Sequence, residues 1–579
     1  MKSSDLIVKM LALYDVEVIF GVPGDTSIPL YESLYDSGTI RHVMARDERS
    51  AAFMADAYAR ISHKPGICEC PSGAGALYAI PGVAEADASS VPVILITNDI
   101  PISGEGKKTI TELDCERLFA PVTKWSCLVK DGERIPEIIR RAFRMSTTGR
   151  PGAVHLCIPQ EAFKHHSTAG DHTLYAEPEC RAYPAFRTRG SRKGLEAITA
   201  CLGAAERPVI VAGGGAKHSQ AQGEILTLCE LLEVPVVTTI SGQGILPDNH
   251  ALALGVIGDN GYHPHAVRAM EESDTLLYVG CKIGSVSSVN WTLPAHDPER
   301  KILQVDLDPV MLGNNTGNHL SVAGDARLVL RDLNILLGDH LEGHPIPESR
   351  GPWVASLNRD RQAFWAESRE KLASTASPIK PQRLISALNR FLDRPSIVIS
   401  DAGTPTPHIT RYLRLSGKDS TFIIPRAFGG LGYAIPGLVG AHFANPEARL
   451  VGLFGDGSLG MSAGELETLV RLKIPAVLIH FNNACFGWIK ALQSIHTDNK
   501  FFSVDFNSHD PAMVAKGFGM AAHRVTAADE LEPALEKAFT AGGPVFLDVV
   551  TESEVTELPP VMSWQAKVAQ NKGQEAARP

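Results

Sequence analysis

The sequence predicts an α/β protein built from three doubly wound parallel-sheet domains, and three observations carry that expectation. The first is length: 579 residues exceed what one core can serve and correspond to roughly three or four domains at about 150 residues each. The second is periodicity. Apolar runs of strand length ("VPVILIT", "RPVIVAGGG", "VPVVTTI", "TLLYVG", "KILQVDLD", "SIVISDAG", "ARLVGLFGDG", "PAVLIHFNN", "PVFLDVV") alternate with helical segments along the whole chain. Strands covered by crossover helices on both faces read as such continuous runs. The third is punctuation: Phe163–Gly194 and Leu336–Val354 are polar and rich in Pro and Gly, and read as linkers. The expected order is a first domain over 1–165, a linker over 166–192, a central domain over 193–335, a linker over 336–376, a third domain over 377–550 and a tail over 551–579.

Composition narrows the function classes. An apolar fraction of 44% with 21% charged residues is that of an ordinary globular protein, and a formal net charge of −10 argues against nucleic acid or an anionic membrane as partner. No apolar run reaches membrane-spanning length and no signal-peptide cleavage pattern is present, so a cytoplasmic protein is expected. The ten cysteines are scattered, and the closest pair, Cys68 and Cys70, lacks the spacing of a zinc or redox motif; reduced, mostly buried thiols are expected.

In chain order, Leu6, Met10 and Leu13 mark a helix, followed by a buried strand ending in "GVPGDTS". "RHVMARDERSAAFMADAYAR" is a strand running to Glu48 and then a helix of small residues (Ala51, Ala52, Ala55, Ala57). "CPSGAGALYAIPGVAEADASSVPVILIT" belongs to the same domain, and "VAGGGAKHS" and "GVIGDNG" mark the central one. In the third domain "ARLVGLF" is a strand that ends in the turn Gly455-Asp456-Gly457-Ser458, whose glycines let a ligand approach the backbone. "SAGELETLVRLKI" is a helix with Leu466, Leu469 and Val470 on its apolar face, its start offering N–H groups to phosphate oxygens. "PAVLIHF" returns as the next parallel strand and delivers Asn482 and Asn483 beside Asp456 at the carboxyl edge of the sheet. A carboxylate, an amide oxygen and a nearby carbonyl, completed by two phosphate oxygens and water, make the hard oxygen shell that Mg²⁺ takes. The expected ligand is therefore a magnesium-bound diphosphate.

With these motifs the chain resembles the thiamine-diphosphate enzymes of the acetolactate synthase, pyruvate oxidase and 2-hydroxyacyl-CoA lyase group, whose diphosphate motif opens with Gly-Asp-Gly and closes with Asn. The resemblance implies Asp456, Asn483 and the carbonyl of Cys485 as metal ligands. It implies Glu48 as the acid that hydrogen-bonds the thiamine pyrimidine, drives its 4-amino group to the imino form and so activates the thiazolium carbon. Leu431, in "RAFGGLGYAIPGLVGA", would wedge the cofactor into its bent form, with the Gly430 carbonyl near the amino group. Gly24, Ser72, Thr404, Gly455, Gly457, Ser458, Phe486, Gly487 and Trp488 complete the expected cofactor set. Such enzymes pair the Glu-bearing domain of one subunit with the diphosphate-bearing domain of another, so a homodimer or homotetramer is expected. The central domain is similar to one that binds FAD in acetolactate synthase and ADP or coenzyme A in related lyases; here "CKIGSVSSVNW" (Cys281–Trp291) replaces the family's acidic–basic run, and FAD, ADP, coenzyme A or no ligand all stay open.

The reaction is less closely marked. "GEGKKTITELD" lacks the His-His doublet of pyruvate decarboxylases, and the one doublet, His165-His166, lies in a linker. Ile110-Thr111 stands where acetolactate synthases and coenzyme-A lyases carry an aromatic–Gln pair, which makes Thr111 a candidate substrate contact. In "FGWIKALQSIH", Gln493 aligns with a lyase Glu that shuttles a proton; an amide cannot take up that proton, which leaves His496 or water for the task. The leading expectation is an acetolactate synthase-like carboligase acting on a 2-keto acid, with an aldehyde or ketone as acceptor. The alternatives are cleavage of a 2-hydroxyacyl-CoA and a catalytically silent paralogue serving as a binding subunit. Pro559-Pro560 and Trp564 suggest that the tail packs over the cofactor cleft as a lid, and Asn571–Pro579 is expected to be disordered.

Overall fold

The computed structural model describes residues 1–168, 170–415, 420–507 and 509–576. Among these it contains three six-stranded, all-parallel sheets with helices between the strands. The first comprises β1 (Val18–Gly21), β2 (Arg41–Met44), β3 (Gly66–Cys70), β4 (Val93–Asp99), β5 (Trp125–Leu128) and β6 (Val154–Pro159), in the order β2-β1-β3-β4-β6-β5. The second comprises β7 (Pro208–Ala212), β8 (Val236–Thr238), β9 (Ala253–Val256), β10 (Thr275–Val279), β11 (Lys301–Asp306) and β12 (Leu320–Ala323), ordered β12-β11-β10-β7-β8-β9. The third comprises β13 (Ser396–Ser400), β14 (Thr421–Ile423), β15 (Arg449–Gly455), β16 (Ala476–Asn482), β17 (Ala521–Val525) and β18 (Val545–Val550). Its order, β14-β13-β15-β16-β18-β17, repeats the connectivity of the first sheet. The α/β expectation is met, and the central strands β3, β4, β10, β13 and β16 are buried along their whole length.

The first and third domains are joined by a helix pair that only small side chains permit. The helix Glu48–Ser62 lies against the helix Ala434–Ala444, and Phe53 meets Tyr433 edge-on with ring centroids 5.0 Å apart. A Cβ at Gly440 would lie 2.8 Å from the Met54 carbonyl carbon and 3.0 Å from the Tyr58 nitrogen; one at Gly82 would lie 3.1 Å from the Phe53 nitrogen. The alanines foreseen in this helix are fully buried. Polar groups tie the same junction: Asp56 accepts from the Tyr433 hydroxyl and pairs with Arg60 at 2.7 Å, and Arg60 reaches Glu85 at 3.5 Å.

Three local expectations are corrected. The stretch 336–376, expected as a linker, is mostly helical: one helix runs over Ala326–Leu341 and another over Arg350–Leu372. Sparse anchors suffice to hold the second. Trp353 and Leu357 join the central core, and the buried Arg350 guanidinium donates to the carbonyls of Leu202 (3.0 Å), Leu232 (2.6 Å) and Ala205. The helix after β15 begins at Asp456 itself and runs to Ser462, with a second helix over Glu465–Arg471, so Asp456 opens a helix instead of standing in a turn before one. The C-terminal stretch expected to be disordered continues the helix Met562–Ala576, where Asn571 donates to the Ile495 carbonyl at 3.1 Å; residues 577–579 lie outside those described. No helix among the described residues is long and apolar enough to cross a membrane.

Candidate active site

Strands β15 and β16 run side by side, Gly455 opposite Phe481, so their carboxyl ends carry Asp456 and Asn483 to one point. The Asn483 N–H donates to Asp456 Oδ2 at 3.1 Å. Asp456 Oδ1 is buried and has no hydrogen-bond partner, with His480 Nε2 3.6 Å away. His480 is held from behind by Asp548 at 2.9 Å. An ionised carboxylate oxygen left bare in the interior is costly unless a cation meets it. Asn483 adds an amide oxygen, which accepts from the Cys485 thiol at 3.2 Å, and burial pushes that thiol up to about 12, away from the thiolate form. Ala484, at φ 54°, turns the backbone between them. The donors available here are hard oxygens, as magnesium requires.

Around this point Gly457 permits a close approach: a Cβ there would lie 2.6 Å from the Phe486 ring and 3.7 Å from Leu431 Cδ1. Trp488, on the helix Gly487–His496, packs on Trp564 of the tail with centroids 4.5 Å apart. The structure adds two carboxylates that the sequence reading missed. Glu554, from the tail, accepts from the Asn483 amide at 2.7 and 2.8 Å and from the Thr404 hydroxyl, and burial raises it above the usual carboxylate range. Because this carboxylate takes the NH₂ of Asn483, the amide oxygen is the atom that could meet a cation. Asp401, at the carboxyl end of β13, accepts from Gly432 and Ala434 N–H, both at 3.0 Å, and from Ser458; burial pushes it up to about 6. Its position at a strand end, like that of Asp456, was the available signal. Glu554 had none, since its partners are far away in sequence.

Glu48 opens its helix above β3. Its Oε1 lies 2.9 Å from where a Gly75 Cβ would stand, beside the Pro71 ring, and burial, with Asp47 and Glu69 nearby, raises its carboxyl above the usual range. Ser72 and Thr111 hydroxyls are 2.7 Å apart, Ser72 N–H donates to Thr26 at 3.2 Å, and Gly24 packs on Pro71 while its N–H donates to Ser27 at 2.9 Å. Glu48, Ser72, Thr111 and Gly24 are thus gathered, but among the described residues no hydrogen bond or ion pair joins them to the Asp456–Asn483 group. Among the described residues, Gln493 and His496 make no hydrogen bond or ion pair with either group. Gln493 donates to the Phe502 carbonyl at 3.0 Å and accepts from the Phe502 N–H at 2.9 Å, which uses both ends of its amide. His496 is exposed at the last position of its helix, eight residues and about 12 Å along the axis from Trp488.

A separate cavity of about 720 Å³ lies where the three domains meet, away from Asp456. Arg60, Arg150, Lys217, Lys282 and Arg426 line it, with Asp306 at the end of β11. Burial brings Lys217 down to about 8, with Arg60 adding to the shift, although its ammonium donates to the Gln243 carbonyl at 3.0 Å and Thr421 Oγ1 at 3.2 Å. Arg426 keeps a buried Nε without a partner. So dense a set of cations suits an anionic ligand.

Comparison with known proteins accords with this geometry. Residues 1–118 match the thiamine pyrophosphate enzyme N-terminal TPP binding domain, 195–333 the central domain, and 401–549 the C-terminal TPP binding domain. A probable acetolactate synthase large subunit of Methanocaldococcus jannaschii is 32% identical over 95% of this chain and 92% of its own. That of Methanococcus aeolicus is 30% identical over 97% and 94%, and acetolactate synthase 3, chloroplastic, of Brassica napus is 30% identical over 97% and 85%. Matched domain by domain, and nearly end to end by these relatives, the chain belongs to the thiamine pyrophosphate enzyme family.

Proposed function

We propose that the protein is a thiamine-diphosphate- and magnesium-dependent carboligase of the acetolactate synthase type, releasing carbon dioxide from a 2-keto acid and joining the remaining acyl unit to a second carbonyl compound. The observation that carries the proposal is the buried Asp456 Oδ1 without a hydrogen-bond partner, its other oxygen accepting the Asn483 N–H, at the carboxyl edge of the third sheet. Asp456, Asn483 and the Cys485 carbonyl are the ligands assigned to Mg²⁺, and the helix start at Asp456 offers N–H groups to the diphosphate. The bound cofactor would supply the carbanion that attacks the keto carbon. Glu48 holds its proton more firmly than an exposed carboxyl, which suits a group that must donate to a ring nitrogen and take the proton back. Thr111 and Ser72 present hydroxyls near Glu48 to orient substrate. The lid role assigned to the tail rests on Trp564 against Trp488 and on Glu554 against Asn483, which exclude water from the metal side.

Since among the described residues no hydrogen bond or ion pair joins the Glu48 and Asp456 groups, a second copy is assigned to complete the site. Tyr78 and Ile110, 56% and 83% exposed, lie close in sequence to Ser72 and Thr111, and Phe428, 61% exposed, to Leu431; all three are apolar enough to be covered by it. The central cavity is assigned to the nucleotide part of FAD, ADP or coenzyme A; the absorbance spectrum of purified protein separates flavin from the others. A coenzyme-A lyase is less well supported, because the Gln493 amide is occupied with Phe502. The deciding experiment measures carbon dioxide release and acyloin formation over a panel of 2-keto acids, beside cleavage of 2-hydroxyacyl-CoA esters. Thiamine-dependent carbon dioxide release is expected; cleavage of the esters alone would overturn the carboligase assignment, and no turnover of either kind would favour a silent paralogue.

A further inference from the structure

The loop between Arg426 and the helix Ala434–Ala444, which carries Gly430 and Leu431, has little packing of its own. Phe428 is 61% exposed, and a Cβ at Gly429 would meet nothing within 4 Å. Gly429 and Gly432 both take positive φ, 78° and 86°, so neither residue restricts the backbone by itself. What holds the loop is polar and comes from outside it. At its far end Asp401 accepts the N–H groups of Gly432 and Ala434. At its near end the carboxylate of Glu85, fully buried in the helix Ala74–Ala88 of the first domain, accepts from Ala427 (3.4 Å), Phe428 (2.8 Å) and Gly429 (3.2 Å). Glu85 is itself fixed by the Ser89 hydroxyl at 2.7 Å and by Arg60 at 3.5 Å, the cation that also pairs with Asp56.

We propose that Glu85 is a positioning residue for the cofactor loop: it clamps Ala427–Gly429 from the first domain while Asp401 clamps Gly432 and Ala434 from the third, so that Leu431 and the Gly430 carbonyl between the clamps are held where they must meet the cofactor. The part concerning Leu431 rests on the function proposed above. The chemistry requires a carboxylate at position 85. Three converging N–H groups need acceptor lone pairs only, and a carboxylate has no hydrogen to turn against them; a glutamine offers one acceptor oxygen and turns an NH₂ toward donors. A buried anion also needs Arg60 nearby, and the pair is in place.

The test compares full-length wild type with Glu85→Gln and Glu85→Asp by amide hydrogen exchange, thermal melting and thiamine diphosphate titration in the presence of Mg²⁺. The amides of 427–429 are expected to exchange at least about tenfold faster in Glu85→Gln, with those of the helix Ala434–Ala444 unchanged because Asp401 still holds its start. Glu85→Asp, which keeps the charge but is shorter, is expected to restore part of the protection, and it serves in place of Glu85→Gln should that variant fold poorly. The dissociation constant for thiamine diphosphate is expected to rise several-fold in Glu85→Gln. Wild-type exchange at 427–429 in Glu85→Gln, or faster exchange spread evenly over the first domain, would overturn the proposal. Loosening confined to 427–429 with unchanged cofactor affinity would uphold the clamp and overturn the assignment of Leu431 instead.

Discussion

Replacing Gly440 by alanine sets two known effects against each other. Alanine is favoured over glycine in a helix interior by about 1 kcal/mol, and Gly440 lies inside the helix Ala434–Ala444. Against this, the new Cβ would fall 2.8 Å from the Met54 carbonyl carbon and 3.0 Å from the Tyr58 nitrogen, where ordinary contact begins near 3.4 Å. The Met54 carbonyl oxygen would be closer still; all these neighbours are backbone of a buried helix and cannot rotate aside, so the two helices must separate by roughly 1 Å or more, and overpacking of this kind costs about 1–3 kcal/mol. The balance predicts a net loss of up to about 2 kcal/mol. The larger effect is functional: the helix that moves starts three residues after Leu431, and a displacement of about 1 Å near reacting groups costs on the order of 100-fold in rate. Gly440→Ala is therefore expected to remain folded, to melt a few degrees lower and to retain on the order of 1% of carboligase activity, read by calorimetry and by product formation on the same preparation. A variant as stable as wild type with full activity would refute the claim that the close helix contact locates the loop.

Other consequences are as direct. Glu48→Gln should keep thiamine diphosphate and magnesium but slow hydrogen–deuterium exchange at the thiazolium carbon by about 100-fold; wild-type exchange would mean the activating acid lies elsewhere. Asp456→Ala removes the carboxylate proposed to hold magnesium and should purify with little cofactor even at millimolar Mg²⁺, which mass spectrometry of the native protein will detect. Lys217, brought down to about 8, is a cation below that pH and neutral above it. ADP affinity should accordingly fall several-fold between about pH 7 and about pH 9 in wild type and stay flat in Lys217→Met. The same group lowers stability at neutral pH, and that penalty shrinks as pH rises toward the value of an ordinary lysine, since the unfolded chain then holds the extra proton. Truncation before Thr551 removes Glu554 and Trp564 together and should raise the magnesium requirement about tenfold or more, with little change in the unfolding of the third sheet; unchanged kinetics would dispose of the lid.

How much of this was legible in the sequence depended on the range over which each interaction acts. Interior strands were visible because burial on both faces imposes an unbroken apolar run, as in β4, β7, β10 and β16. Edge strands such as β9, β12 and β17 were not, since alternate positions face solvent and the run is broken. The Gly-Asp-Gly and Asn-Asn motifs were legible because strand, turn and helix are local, and the parallel register of two neighbouring strands then brings Asp456 and Asn483 together. Glu48 was marked by the alanine-rich helix it opens, although the strand expected to run to it ends at Met44, four residues earlier.

What the sequence left open was decided by contacts between residues hundreds of positions apart. Glu85 meets Phe428 across 343 residues, and Glu554 meets Asn483 across 71; nothing near either glutamate distinguishes it from a solvated one. Gln493 was drawn toward catalysis by its alignment, yet the fold gives both ends of its amide to Phe502. The polar stretch after Leu341 became a helix, Arg350–Leu372, because a few side chains, Trp353, Leu357 and Arg350, find a core already built by other strands. The sequence alone thus determined the three sheets and the two halves of the site, for these follow from local periodicity and turn chemistry. The tertiary structure alone decided which buried charged atoms are paired and which, Asp456 Oδ1 among them, are left without a partner, because the energy of a charge in the interior depends on neighbours that only folding brings near.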